Sequence, residues 1–322
     1  LIPRRSYRIL AAALLLSLQC FATTDTIRLA DPTIFPYHGK YYLYGTGNAA
    51  KGFTVQVSSD LKKWSAPAGK NNGYALVKGE AFGEKGFWAP QLFAYRGRFY
   101  MAYTADEQIA IAFGDSPLGP FRQTVQKHLA GDGKKIDPYI FEDRDGQLYL
   151  YHVRLEQGNR LFVARLKPDL SDIFPETLQP VLSATEPWEN TENRDWTVTE
   201  GPTVVLEQGT YFLFYSANDF RNKDYAVGCA TSKSPMGPWT KLQNSPLISR
   251  QQLGINGTGH GDLFKNSKGQ WQYVLHTHYN NVTVSPRLTG IVDLRFLNGG
   301  FQPVNNSFRY LEEAAAGVRA KE

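Results

Sequence analysis

The chain has 322 residues with 18 Tyr, 19 Phe and 29 Gly, and a formal charge of +5. That length can bury a large core in one domain, and the aromatic and glycine content suits strands and tight turns better than helices. With 35 basic and 30 acidic residues and no long run of Lys and Arg, nucleic acid and anionic membrane surfaces are excluded as expected partners.

Residues 1–22 read as a signal peptide. Arg4, Arg5 and Arg8 give a basic start, and Ile9 to Leu18 is an apolar stretch too short to span a bilayer. Cleavage after Ala22 fits a small-residue site. Cys20 follows Gln19 rather than a small residue, so export in soluble form, to a periplasm or outside the cell, is expected ahead of a lipoprotein anchor. Losing three Arg would bring the charge from +5 to near +2. Cys229 would then have no disulfide partner, and between Gly228 and Ala230 it reads as a buried packing thiol.

From residue 31 onward one unit recurs. It starts at Asp31-Pro-Thr-Ile-Phe, Ala89-Pro-Gln-Leu-Phe, Asp137-Pro-Tyr-Ile-Phe, Gly201-Pro-Thr-Val-Val and Gly261-Asp-Leu-Phe. Each apolar run is followed by a polar turn with glycine and a second apolar-aromatic run, which is a hairpin signature. Asp31 to Trp64 reads as one complete unit, with a turn at His38-Gly39 and a third strand from Phe53 to Ser58. A closing motif follows in phase: Leu61-Lys-Lys-Trp64, Pro117-Leu-Gly-Pro-Phe121, Lys167-Pro-Asp-Leu170 and Pro235-Met-Gly-Pro-Trp239. Two repeats in phase predict an all-β fold, a five-bladed β-propeller over residues 25–305, with residues 306–322 as a tail or short helix. Lys70 to Phe87 and Thr185 to Trp196 read as long polar connections of the kind that carry function.

In a propeller the first strand of each blade lines the axis, so equivalent strand ends converge. Asp31 and Asp137 hold the same place in units one and three, and Glu200 lies one residue earlier in unit four. An Asp before Pro also serves to cap a turn, and a lone Glu can be a solvated strand-end charge. Three acids in register point instead to chemistry. Like charges meeting at one mouth raise at least one pKa, and a protonated acid facing an ionised base is what glycosidic bond cleavage uses. Glu142, Asp143 and Asp145 read as surface turn residues. Tyr139, two residues past Asp137, is expected to face the same side. His260 directly precedes the fifth inner strand and reads either as a buried hydrogen-bonded His or as an axial group. His276 and His278 alternate along a strand and read as packing.

These motifs resemble glycoside hydrolase family 43, and the resemblance covers residues 29–300. It implies a five-bladed propeller that removes arabinose, xylose or galactose from plant polysaccharides with inversion. Ala30-Asp31-Pro32 is similar to the general-base motif, Ile136-Asp137-Pro138 to that of the pKa-modulating acid, and Thr199-Glu200-Gly201-Pro202 to that of the general acid. Trp88-Ala89-Pro90 is similar to the family's pocket tryptophan motif, with Phe87 beside it as a second stacking ring, packing within a blade being the other reading of both. Gly257-Thr-Gly-His260 resembles a site near the axis that leaves room for calcium held through water, although no cofactor is required. Arg287 falls where the family places a sugar-binding Arg. The resemblance thus implies an exo-acting enzyme on a plant polysaccharide or oligosaccharide, α-L-arabinofuranosidase first, with β-xylosidase and exo-β-1,3-galactosidase as alternatives. A non-catalytic sugar-binding propeller is the reading from another class. Oligomeric state has no signal in the sequence.

Overall fold

Alternating apolar and polar residues with Gly-containing two-residue turns dictate a chain of hairpins. His38-Gly39, Arg96-Gly97, Gln208-Gly209 and Asn298-Gly299 all have positive φ at both positions, the backbone of a type I′ turn that matches the twist of the strands it joins. The computed structural model describes residues 25–314, and residues 1–22 with Cys20 lie outside them. Among the described residues the chain is nearly all strand. The one α-helix is Arg250–Leu253, and no helix is long and apolar enough to cross a membrane.

Five main antiparallel sheets follow one another along the chain. Sheet one is Ala30–Tyr37, Lys40–Thr46 and Gln56–Ser58. Sheet two is Trp88–Tyr95, Arg98–Ala105 and Gln108–Gly114. Sheet three is Lys135–Glu142, Leu148–Leu155, Asn159–Leu166 and Gln179–Leu182. Sheet four is Thr199–Glu207, Thr210–Ala217, Ala226–Ser232 and Thr240–Lys241. Sheet five opens with Gly259–Lys265, Trp271–Thr277 and Leu288–Leu297. The first strand of each sheet packs against the first strand of the next, and that of sheet five returns to sheet one. Apolar clusters fill the wedges between neighbouring sheets. Phe53, Phe87, Tyr103 and Phe121 are fully buried between sheets one and two, each such ring contributing roughly 1.5–3 kcal/mol.

Three expectations are corrected. The Lys70–Phe87 stretch is not all loop, because Tyr74–Val77 pairs with Gly52–Thr54 as an outer ribbon. The expected third strand from Phe53 to Ser58 therefore divides at Val55: its first part joins that ribbon and Gln56–Ser58 stays in sheet one. The expected tail after residue 305 continues as strand. Arg309–Tyr310 pairs with sheet five, and Glu312–Glu313 lies between Asp25–Thr26 and Lys63–Trp64. Backbone hydrogen bonds thus tie the two described ends of the chain to each other, to Lys63–Trp64 and to Thr289 of sheet five. Cys229 is a buried free thiol, as expected.

The inner strands share one irregularity. Asp31, Ala89, Asp137, Gly201 and His260 all have positive φ, between 38° and 59°. Pairing slips at each of them, between Ala30 and Thr33, Trp88 and Gln91, Ile136 and Tyr139, Glu200 and Thr203, and Gly259 and Gly261. These are β-bulges, and four are followed by proline, which has no N–H to leave unpaired there. A bulge re-aims its side chain, and here it turns the strand ends toward one cleft.

Candidate active site

The N–H of each bulge residue is held by a side chain of another element. Asp31 N donates to His276 Nδ1 (3.1 Å), Ala89 N to Thr46 Oγ1 (2.9 Å), Asp137 N to Thr104 Oγ1 (2.9 Å) and His260 N to Ser216 Oγ (2.7 Å). Each acceptor stands on the second strand of the preceding sheet, opposite that sheet's own strand end. In sheet three this position is Val153, which has no acceptor. Gly201 N instead donates to Asp137 Oδ2 at 3.2 Å. Gly201 also has no room for a side chain: a Cβ would lie 2.7 Å from His260 Cδ2.

This backbone brings Asp31, Asp137 and Glu200 to one cleft of about 400 Å³, walled by Trp88, Trp196, Phe220, His260 and Arg287. All three carboxyls are buried. Asp31 Oδ1 accepts from Arg287 Nη1 at 3.0 Å and lies 3.3 Å from His260 Nδ1, while Oδ2 accepts from Thr46 Oγ1 at 2.7 Å. Burial alone would raise its pKa. The Arg287 guanidinium, then His260, His276 and the Thr46 hydroxyl, outweigh burial and hold it well below the usual carboxylate range.

Glu200 has different company. Its Oε1 accepts from Tyr225 Oη at 2.8 Å and its Oε2 from Asn159 Nδ2 at 2.9 Å. Burial pushes its pKa to about 7; those two hydrogen bonds pull down, and the charges of Asp31 and Asp219 push up. Asp137 is raised as well, first by burial and then by the Glu200 and Asp31 charges, against the Gly201 N–H and Arg287. Ionising either of the Glu200–Asp137 pair disfavours ionising the other, so the pair retains a proton near neutral pH.

The other expected site residues divide. Trp88 is partly exposed and lines the cleft. Phe87 does not: it is fully buried and stacks on Tyr103 at 6.0 Å, because adjacent strand residues point to opposite faces. Tyr139 does not face the cleft either. The bulge after Ile136 breaks the period of two, and Tyr139 lines a small separate cavity with Thr33, Gln91, Thr203 and Asp262, on which Asp31, Asp137 and His260 also border. Arg287 lies in the cleft, on Asp31 and over the Phe220 ring at 4.5 Å. His260 Nδ1 is shared between Asp31 and Asp137 (3.8 Å). Burial, reinforced by Arg287 and opposed by Asp31, holds that imidazole neutral. Among the described residues no group of three or more His, Cys, Asp or Glu is arranged to hold a metal ion directly.

Four contacts went unread in the sequence. His276 is packed, as expected, but its Nδ1 also fixes the Asp31 backbone and its ring stacks on Tyr225 at 5.6 Å. With Nδ1 accepting, Nε2 carries the imidazole proton, and its 3.3 Å approach to Arg287 is a packing contact. Tyr225, Asn159 and Thr46 complete the carboxylate partners. Thr46 and His276 share a repeated place on the second strand, but the residue type there changes from sheet to sheet (Thr46, Thr104, Val153, Ser216, His276), and Tyr225 and Asn159 belong to no repeat, so the sequence gave no signal for them.

The family described as glycosyl hydrolases family 43 matches residues 25–301. An Aspergillus niger protein named β-D-galactofuranosidase is 23% identical over 316 residues, covering 88% of this chain and 84% of that one. A Humicola insolens xylosidase/arabinosidase 43A is 25% identical over 263 residues, covering 66% and 79%. A solved Bacteroides thetaiotaomicron structure, named endo-1,4-β-xylanase, is 37% identical with a TM-score of 0.84 and covers 91% of this chain and 99% of its own.

Proposed function

The chain belongs to glycosyl hydrolases family 43, and from that premise we propose an exo-acting, inverting glycosidase that releases terminal α-L-arabinofuranose from plant cell-wall polysaccharide side chains. On this reading the ring of five sheets is a five-bladed propeller, and residues 1–22 direct export. The observation that carries it is the contrast between two carboxyls in one cleft: Asp31 lies on the Arg287 guanidinium, which favours its ionised form, and Glu200 lies on the neutral Tyr225 and Asn159, where burial pushes its pKa to about 7.

Asp31 deprotonates a water on one face of the sugar. Glu200 protonates the leaving oxygen on the other, and the oxocarbenium-like transition state develops between them. Inversion calls for room for that water, carboxyls roughly 6.5–9.5 Å apart. Asp137, coupled to Glu200, keeps a proton available to the pair. Arg287 fixes Asp31 and presents its remaining N–H groups to a sugar hydroxyl, and Trp88 offers a face for the ring.

The Aspergillus relative's name brings a second furanose into view. β-D-Galactofuranose shares its ring configuration with α-L-arabinofuranose and differs in an exocyclic carbon, so one cleft suits both. The test is product analysis. Wild-type protein and Glu200→Gln are incubated with aryl α-L-arabinofuranoside, β-D-galactofuranoside, β-D-xyloside and β-D-galactopyranoside, then with arabinan, arabinogalactan and arabinoxylan. Free arabinose from wild type alone upholds the proposal. Free galactose or xylose keeps the mechanism and changes the sugar, and oligosaccharide products overturn exo action. Sugar binding without release would turn the reading to a lectin-like propeller.

A further inference from the structure

The acceptors that hold the bulge N–H groups are not equal in size. Thr46, Thr104 and Ser216 do it with a hydroxyl, at 2.7–2.9 Å. At the equivalent place in sheet five stands His276, whose Nδ1 takes the Asp31 N–H at 3.1 Å. A hydroxyl would meet that need, so the imidazole is larger than the hydrogen bond requires. Its extra atoms reach Tyr225. The two rings stack with centroids 5.6 Å apart and planes 12° from parallel, and both side chains are fully buried. Gly259, the ladder partner of His276, leaves the phenol its place: a Cβ there would lie 2.3 Å from Tyr225 Cε1. Burial, reinforced by the Arg287 charge and opposed by Asp31, keeps the imidazole neutral, so the stack joins two uncharged rings.

Tyr225 Oη in turn donates to Glu200 Oε1 at 2.8 Å. One line of contacts therefore runs from base to acid: the Asp31 N–H, the imidazole, the phenol and the Glu200 carboxyl. Between its two hydrogen bonds lie only planar rings, with no flexible chain. Buried rings keep their spacing because protein interiors are packed as densely as organic crystals. Inverting hydrolysis depends on the spacing of its two carboxyls, since a water must fit between the base and the sugar. We propose that the His276–Tyr225 stack sets the separation between Asp31 and Glu200, both rings acting as positioning residues. The inference rests on the inverting-glycosidase reading above and adds how the distance which that reading needs is held.

The test is a double-mutant cycle on a glycosyl fluoride: α-L-arabinofuranosyl fluoride, or the β-D-xylosyl or β-D-galactosyl compound where product analysis names that sugar. Fluoride leaves without a proton from Glu200 but still needs the water at Asp31. His276→Thr installs the hydroxyl acceptor used by sheets one and two and removes the ring. Tyr225→Phe keeps a ring, and Tyr225→Leu does not. On the fluoride, Tyr225→Leu is expected to lose about tenfold more kcat/KM than Tyr225→Phe, although the hydrogen bond of Tyr225 goes to the acid. His276→Thr is expected to lose about tenfold, and the double variant His276→Thr with Tyr225→Leu about tenfold rather than the roughly hundredfold of independent losses. Equal rates for Tyr225→Phe and Tyr225→Leu overturn the proposal, as do losses that multiply in the double variant. His276→Asn and Tyr225→Met, which fill the space without a ring, replace any variant that does not fold; if they fail as well, the stack is core packing alone and the proposal falls. A wild type that hydrolyses none of these fluorides fails the glycosidase reading and the spacing with it, whereas multiplied losses in an active enzyme overturn the spacing alone.

Discussion

Around Asp31 the neighbours are a guanidinium, two imidazoles and a hydroxyl, all within 3.4 Å of a carboxylate oxygen. Around Glu200 they are a phenol and an amide, both neutral, with other acids behind them. The two groups are chemically the same and similarly buried. Burial raises both, and only Asp31 has a permanent positive charge at hydrogen-bond distance to reverse it. The difference teaches that Arg287, more than depth in the cleft, sorts the two carboxyls into base and acid.

The hardest way to break that division is to neutralise one side. Asp31→Asn and Glu200→Gln are each expected to lower kcat/KM roughly 100- to 10,000-fold on natural glycosides. They should differ on a glycosyl fluoride. Fluoride leaves without a proton, so Glu200→Gln keeps most of its activity there and Asp31→Asn does not. Steady-state rates on the two substrates check this.

Removing the cation is the next largest effect. Arg287→Met leaves Asp31 buried without its guanidinium, so its pKa rises. The acidic limb of the kcat/KM profile then moves to higher pH, and the rate at the optimum falls roughly 10- to 100-fold. On the Glu200 side the shift has the same sign but acts on the alkaline limb. Tyr225→Phe removes a hydrogen bond that favours the ionised form, and Asn159→Ala removes another. Each should move the alkaline limb upward from about 7, with a several-fold change at the optimum.

The smallest effect is on stability. Burial raises the Glu200 pKa in the folded state to about 7, above its ordinary value of 4.5. The folded state therefore holds this proton more tightly than the unfolded state does. That contribution is fully present below the unfolded pKa and is lost as pH rises through about 7. Glu200→Gln should remove this slope and raise Tm by a few degrees at neutral pH, on the order of 2 kcal/mol. Thermal melts at several pH values read it.

The same comparison shows what a sequence can carry. Asp31 and Asp137 stood out as left-handed bulge residues followed by proline, and Glu200 as the residue before the bulge at Gly201-Pro202, because the ring of inner strands repeats that need at four of its five strand ends. Their partners had no such signature. Tyr225 and Asn159 reach Glu200 from 25 and 41 residues away, and only the closed ring brings them near. Phe87 and Tyr139 failed for local reasons: strand alternation turns the one into the core, and the bulge shifts the phase of the other. Tyr74–Val77 was hidden behind the polar run Lys70-Asn71-Asn72, although its own residues are strand formers that pair with Gly52–Thr54.

The central claim is the sorting of two like groups by Arg287, and it can be read without substrate. Carbon-13 NMR of carboxyl-labelled protein, with Asp31→Asn and Glu200→Gln for assignment, follows each group through a pH titration. The account predicts that Glu200 titrates near 7 while Asp31 stays ionised to the lowest pH at which the fold persists; Asp31 titrating at or above Glu200 would contradict it.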